Sequence, residues 1–385
     1  MDEMHKVKHV RFEGFRRLQG VDIEMRPLMV MIGANGVGKT SVLDALSLLS
    51  AAAAGTISRR LGEMGGIADV LTRGYLGRIT LKAEMEAPGR KPLIYDLQLE
   101  PNGPTYSIAE EVLSQDRLGL PEHFKYIESR HNDIRYFDLD TNKLVRPNWE
   151  HNPLESSLSQ VPKMFQQSEE LRRTLSSVTQ YHVLDVGPHA PVRLPQQMKP
   201  AALPGENGED LIPFLYGLRE STPDRYEAIE DALRSSFHGF QSLNFPPVAA
   251  GMLAMTWKDK NFKSPIYTHQ LSEGTLRFLW LVSLLQSPNL PTVTMIDEPE
   301  VSLHPELLSL LAELMREASQ RTHLVVATHS DRLIRFLVPK EVVVMDTDGD
   351  GYATVRSADS LDLEEWLKEY GLDEVWRMGR MGGRS

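Results

Sequence analysis

One stretch decides the fold: Gly33-Ala34-Asn35-Gly36-Val37-Gly38-Lys39-Thr40, which fits the pattern G-x-x-x-x-G-K-[ST] in full. Before it lies an unbroken apolar run over residues 28–32, as expected of a buried central strand. After it, apolar residues recur at helical spacing over residues 40–49. This order of strand, glycine loop and helix is the context that a phosphate-binding loop requires.

The residue types of the loop suit a nucleotide phosphate. Glycines let successive backbone N–H groups curl around a β-phosphate, and the following helix points its positive N-terminus at the same oxygens. Lys39 would add a cation for the β- and γ-phosphates, and the Thr40 hydroxyl would be a ligand of Mg²⁺. We therefore predict a binding site for ATP formed by Gly33, Asn35, Gly36, Gly38, Lys39, Thr40 and Ser41.

A second apolar strand, residues 292–296, ends in Asp297 and Glu298. In P-loop enzymes such a strand lies beside the loop, and its first acid holds Mg²⁺ directly or through water. We assign that role to Asp297, and we expect Glu298 to polarise the attacking water. Many strands end in a solvated Asp-Glu turn, so the glycine loop upstream is what favours the catalytic interpretation.

Two further motifs follow the same logic. His329 comes directly after the apolar strand of residues 323–327, where a histidine can reach a γ-phosphate oxygen. Ser272 and Gly274 stand where a mostly apolar helix begins, so a hydroxyl, free N–H groups and a helix dipole form a second anion site. The alternatives are an ordinary satisfied histidine and an ordinary serine N-cap.

The order of these four motifs resembles that of ABC-type ATPases, and more narrowly the RecF/SMC/OLD-like group of AAA family ATPases. The resemblance is carried by residues 10–16, 33–46, 271–281 and 297–305. It implies an α/β fold, a P-loop ABC ATPase head with a mixed sheet core, an antiparallel β lobe and a helical insertion. On this basis we expect three parts: residues 1–104 and 246–385 form the head, and residues 105–245 form a mainly helical insertion or lid.

The resemblance also implies a homodimer that encloses ATP and Mg²⁺. Lys39 and Thr40 of one subunit would face Ser272 and Gly274 of the other. Glu298 would be the catalytic base, His329 the switch histidine, and Arg16 a residue near the nucleotide base. The glutamine that links the insertion to the nucleotide in this family has three candidates, Gln98, Gln160 and Gln166.

Composition limits the remaining possibilities. The 385 residues carry a formal net charge of −11, so nucleic acid would have to bind at a local basic patch. The chain has no cysteine, which excludes disulfides, thiolate metal sites and cysteine nucleophiles. We see neither an apolar secretory segment at the start nor a membrane-spanning run, so we expect a cytoplasmic protein.

Asp346-Thr347-Asp348-Gly349 resembles the start of a calcium loop, but its twelfth position would be Ser357 instead of glutamate, so we expect a β-hairpin. The same acids hint at a Toprim nuclease, for which too few residues follow. The leading hypothesis is an ATP-hydrolysing switch in DNA repair or anti-phage defence that acts with an effector, a nuclease or a toxin. The alternatives are the energising subunit of a membrane transporter and a binding module with negligible turnover.

Overall fold

The computed structural model describes residues 6–74, 77–86, 89–116, 123–131, 133–138 and 141–382. Its central feature is a sheet of six described strands. From one edge to the other these are β10 (Val178–Tyr181), β17 (Val293–Asp297), β18 (His323–Thr328), β3 (Leu28–Ile32), β19 (Val342–Thr347) and β20 (Ala353–Ser357). The first five strands run parallel, and β20 pairs antiparallel with β19. The hairpin predicted around Asp348 is therefore present.

Strand β3 is buried on both faces, as its unbroken apolar run predicts. Val30 and Ile32 pack into the core that contains the later helices. Met29 and Met31 face the opposite way, into the core shared with the helix after the glycine loop. Because parallel strands end at the same edge, the chain segments that follow β3, β18 and β17 emerge together.

A second sheet of eight described strands is antiparallel throughout. In spatial order it contains β2 (Val21–Glu24), β1 (Val7–Glu13), β4 (Ile79–Met85), β5 (Leu93–Asn102), β6 (Thr105–Gln115), β7 (Phe124–Arg130), β8 (Asp133–Asp138) and β9 (Lys143–Val145). The expected combination of a mixed sheet core and an antiparallel lobe is thus confirmed.

The middle of the chain differs from the expectation of a mainly helical segment over residues 105–245. Strands β6 to β9 extend the antiparallel sheet as far as Val145, and the boundary predicted after residue 104 falls in the turn of the β5–β6 hairpin. Alternating burial along β6, with Tyr106 and Ile108 inward, explains why this segment is a strand. Among the residues of this segment that the structure describes, the helices lie between Ser157 and Ser236.

Helices cover both faces of the six-stranded sheet. The described helices are α1 (Lys39–Ala54), α2 (Ile57–Glu63), α3 (Ile67–Val70), α4 (Ser157–Gln160), α5 (Gln166–Ser176), α6 (Leu211–Ser221), α7 (Pro223–Ser236), α8 (Glu273–Leu285), α9 (Leu307–Ala318), α10 (Asp331–Ile334) and α11 (Leu372–Arg377). A 3₁₀ turn at Trp366–Lys368 precedes α11.

Two small sheets complete the described part. One joins β11 (Gln196–Gln197), β14 (Met252–Leu253) and β13 (Pro247–Val248), and the other joins β12 (Phe240–Asn244), β15 (Thr256–Asp259) and β16 (Ile266–Tyr267). Strand β16 leads through a short 3₁₀ turn at Thr268–Gln270 into α8. These short sheets place the hairpin β15–β16 directly before Ser272.

Candidate nucleotide-binding site

Three predicted motifs meet at one edge of the six-stranded sheet. We call it the carboxyl edge and define it by the glycine loop (residues 33–40), Asp297, Glu298 and His329. Ile32 at the end of β3 pairs with Thr328, and Asp297 at the end of β17 pairs with Ala327. The loop, the two acids and the histidine therefore leave three adjacent parallel strands at the same level.

The glycine loop ends where α1 begins. Gly38 precedes the helix with a φ of 113°, a conformation that side chains with a Cβ rarely adopt. The Lys39 ammonium donates hydrogen bonds to the carbonyl oxygens of Gly33 at 2.7 Å and Ala34 at 2.9 Å. Asn35, Gly36 and Thr40 are exposed, whereas Ser41 is buried. An anion in this loop would meet free backbone N–H groups and the N-terminus of a 16-residue helix.

The charges of this edge lie close enough to influence each other. Burial lowers the pKa of Lys39, while the carboxylates of Glu298, Asp297 and Glu300 act in the opposite direction. Burial raises the pKa of Asp297, and the charges of Glu298 and Asp44 raise it further. An added cation would relieve the repulsion among these acids.

Glu298 is held in an unusual backbone conformation. Its φ is 51°, in the left-handed region, and its N–H donates to the Ala327 carbonyl at 2.8 Å. Its carboxylate Oε1 lies 3.0 Å from Nδ1 of His329. Both side chains are partly exposed. The structure thus pairs the predicted base with the predicted switch histidine at the mouth of the edge.

A third acid, Glu300, belongs to the same group, although the sequence alone gave it no role. The hydroxyl of Thr328 donates to one carboxylate oxygen of Glu300, while the other receives no hydrogen bond from another described residue. Burial raises the pKa of this carboxyl. Its place two residues after Glu298 is the signal that could have identified it.

Arg16 reaches the first turns of α1 from the loop after β1. Its φ of 49° is left-handed, and its N–H donates to the Val70 carbonyl at 2.6 Å. Its guanidinium is paired with Asp44, which also accepts from Arg60 at 3.3 Å. Arg16 therefore lies near the loop with its charge already matched by an acid that the sequence analysis did not consider.

The three glutamine candidates lie away from the strand that borders the acids. Gln98 is in β5 and accepts from Arg78, Gln160 ends α4, and Gln166 begins α5. Strand β10, which neighbours β17, carries Gln180 instead. Gln180 accepts from Arg60 at 3.1 Å, and the following His182 lowers the pKa of Asp297 by its charge. Only the sheet order, which the sequence did not specify, identifies these two residues.

The second predicted anion site begins α8. The hydroxyl of Ser272 accepts from the backbone N–H of Thr275 at 3.2 Å, so Ser272 is an N-cap. Gly274 packs so closely that a Cβ there would lie 2.6 Å from the carbonyl oxygen of Ser302. Ser302 follows the acids and has a φ of 63°. The segment after the acids and the start of α8 therefore fit together within one chain.

The donor set suits Mg²⁺ held mainly by its substrate. Thr40 offers an exposed hydroxyl and Asp297 a carboxylate, both hard oxygen donors. Within the described ranges, no cluster of three or more histidine or acidic side chains could hold a metal ion. Mg²⁺ is usually bound through one or two carboxylates, substrate phosphates and waters, so this sparse set fits. Asp348 accepts from the N–H groups of Asp350 and Tyr352, as expected of a hairpin turn.

The fold matches known Smc head domains. An Smc head bound to the C-winged helix domain of ScpA aligns with a TM-score of 0.55 at 16% identity, over 94% of this chain and 99% of that one. The Smc head domain with an extended coiled coil from Pyrococcus furiosus aligns with a TM-score of 0.55 at 13% identity, over 95% and 98%. At these identities the likeness shows the fold alone. No curated protein matches in sequence.

A family model matches most of the chain, residues 28–335, which include every motif of the carboxyl edge. The described part contains no helix with the length and apolar character needed to cross a membrane. The predicted resemblance to ABC-type ATPases of the RecF/SMC group is thus confirmed in family and fold, and the family implies nucleotide binding. This chain belongs to the family described as AAA domain, putative AbiEii toxin, Type IV TA system.

Proposed function

We propose that the chain binds ATP with Mg²⁺ at the carboxyl edge and hydrolyses it. The observation that carries this proposal is the meeting of the glycine loop, Asp297, Glu298 and His329 at one sheet edge. A loop that merely connected β3 to α1 would gain nothing from a buried lysine beside three acids. That arrangement costs desolvation free energy, which a bound triphosphate and its cation would offset.

Each side chain has a role that follows from its place. Lys39 exchanges its two carbonyl partners for β- and γ-phosphate oxygens. Thr40 and Asp297 hold Mg²⁺, which supplies charge neutralisation when bound. Glu298 accepts a proton from the attacking water, and His329, 3.0 Å away, orients that carboxylate and contacts the γ-phosphate.

The start of α8 at Ser272 supports a composite site between two copies of the chain. The exposed Ser272 and the N-terminus of the 13-residue helix α8 offer a hydroxyl and the positive end of a helix dipole to a phosphate. In a head-to-tail dimer, the γ-phosphate held by one glycine loop meets this cap in the partner subunit. Two copies then close around two ATP molecules, and hydrolysis releases them.

We place this switch in DNA maintenance or anti-phage defence, acting with an effector such as a nuclease or a toxin. The description of its family names a toxin of a toxin–antitoxin system, and the Smc heads of the same fold are named with ScpA.

A variant that binds ATP without hydrolysing it, and so traps the ATP-bound dimer, tests the proposal. Glu298→Gln keeps the shape of the site but removes the base, so ATP should persist and hold the dimer. With ATP and Mg²⁺, light scattering after gel filtration should give twice the monomer mass, whereas wild type should return to monomer as phosphate is released. A Glu298→Gln chain that binds no ATP in calorimetry would overturn the proposal. Glu313→Gln, on the exposed side of α9, is the matched control and should behave as wild type.

A further inference from the structure

A cleft on the β15–β16 hairpin lies outside the carboxyl edge. Its volume is about 570 Å³, and its walls come from residues 244–246 and from the hairpin. Two aromatic side chains of this cleft, Phe262 and Tyr267, are 61% and 42% exposed. Large rings left open beside a concave surface mark binding sites more often than chance exposure does.

The hairpin is also locally basic. Lys258, Lys260 and Lys263 are exposed, and within the described residues none of them pairs with a carboxylate. Asp259, the one acid among residues 256–269, accepts the backbone N–H of Asn261 at 2.8 Å. Two of the lysines line the cleft, and no acid does. This patch is thus positive on a chain whose formal net charge is −11.

One of the two rings is held in place before any ligand arrives. Tyr267 stacks on His269 with 5.9 Å between ring centroids, and its N–H donates to the side chain of Gln270 at 2.8 Å. Arg193 donates to the carbonyls of His269 at 3.2 Å and Leu271 at 2.9 Å. A preorganised ring loses little conformational freedom on binding. Tyr267 lies five residues before Ser272.

Open aromatic faces together with unpaired lysines suit a ligand that has both flat rings and regular negative charge. A nucleic-acid duplex hides the faces of its bases, and an acidic peptide would use the lysines without the rings. We propose that this cleft binds a single nucleic-acid strand, with bases stacked on Phe262 and Tyr267 and phosphates at Lys258 and Lys263.

The test is fluorescence anisotropy of a labelled 20-nucleotide oligo-dT, without ATP, so that it does not depend on the proposed hydrolysis. Phe262→Ala should weaken binding about tenfold, since stacking on one aromatic ring is worth roughly 5- to 150-fold in affinity. Phe262→Trp should preserve binding. Lys258→Gln with Lys263→Gln should reduce the slope of log affinity against log salt by about 0.7 per lost contact. Lys163→Gln, an exposed lysine elsewhere, should change nothing.

Three results would overturn the proposal. The first is no binding of oligo-dT at micromolar protein. The second is equal binding of a duplex with no effect of Phe262→Ala, which would indicate a purely electrostatic surface. The third is complete competition by poly-glutamate with no role for the ring, which would indicate an acidic protein partner. Because Phe262 is 61% exposed, its replacement should leave the melting temperature unchanged, and that measurement accompanies each variant.

Discussion

Two glutamates, Glu111, which is fully buried in the antiparallel sheet, and Glu300, which is half-buried at the carboxyl edge, differ in how their carboxylates are hydrogen-bonded. Burial raises the pKa of both. Glu111 accepts from the hydroxyl of Tyr95 at 2.9 Å and from the backbone N–H groups of Ser157 and Leu158 at 2.6 and 2.9 Å. Glu300 has one hydroxyl partner and an oxygen that no other described residue satisfies. The satisfied acid is part of the hydrogen bonding that joins β6 to α4, and the unsatisfied acid lies in the proposed nucleotide site.

The same contrast separates the two ends of α1. At its C-terminal end, the Ser156 hydroxyl donates to the Ala52 carbonyl at 2.6 Å, and just beyond that end Glu155 accepts the N–H groups of Ile57 and Ser58, which begin α2. At its N-terminal end, the Lys39 ammonium donates to two loop carbonyls, which phosphate oxygens can replace. The C-terminal end is therefore held by the segment that leads into α4, whereas the carbonyl partners of Lys39 at the N-terminal end are exchangeable.

The largest expected effect comes from removing the Lys39 ammonium at the N-terminal end of α1. Lys39→Ala should lower phosphate release by at least about 100-fold, because a preorganised cation at the transferring phosphoryl group is lost. The free energy of unfolding should stay within about 1 kcal/mol, since a buried lysine is removed together with its desolvation cost. Phosphate-release kinetics and urea denaturation on the same preparation check both. Undiminished release would mean that the loop does not bind the substrate.

The second effect is on stability and comes from replacing Glu111, whose two carboxylate oxygens both accept hydrogen bonds. Glu111→Gln should destabilise the fold by about 1–3 kcal/mol, because the amide NH₂ meets a backbone N–H donor where a carboxylate oxygen accepted it. ATP affinity per folded molecule should not change. Urea denaturation and calorimetry measure these quantities. Glu110→Gln, on the adjacent and less buried position of β6, is the matched control and should cost well under 1 kcal/mol.

The third effect is expected from the corresponding substitution at Glu300, which should reduce activity and leave stability intact. Because burial raises the pKa of Glu300 above its ordinary value of 4.5, ionisation at neutral pH destabilises the fold. Its contribution to stability is present below pH 4.5 and is lost as pH rises through the folded pKa. Glu300→Gln removes that loss. The free energy of unfolding at pH 7 should therefore be at least as large as in wild type, while phosphate release falls. A destabilisation as large as that of Glu111→Gln would make Glu300 a structural acid.

The sequence predicted what is local and periodic, and little that depends on distant partners. The glycine loop, β3 and β17 follow from contiguous patterns, and β3 begins and ends with the predicted apolar run of residues 28–32. Glu111 and Asp44 could not be assigned, because their partners lie 46 residues away at Ser157 and 28 residues away at Arg16. The roles of β10 and Gln180 depend on strand order, which adjacent residues do not encode.

The smallest effect compares two histidines, His323 at the start of β18 and His151 beside α4. Burial lowers the pKa of both, and His323 is the more deeply buried. Their stabilising contribution is therefore present above the ordinary pKa of 6.5 and is lost as pH falls toward the folded pKa. Unfolding free energies at pH 7.5 and 5.5 should differ less in His323→Gln than in wild type, by about 1 kcal/mol. His151→Gln should show a smaller change, and an equal change would contradict the ranking by burial.

Complementation between two inactive variants tests the composite site most directly. Lys39→Ala disables the glycine loop, and Ser272→Arg, at an exposed position, disables the cap that faces the partner. Each variant alone should release almost no phosphate. Their equimolar mixture should recover about one quarter of wild-type activity, because half of the dimers are mixed and each contains one intact site. A mixture as inactive as its components, with both variants folded, would contradict the claim that two copies share each ATP.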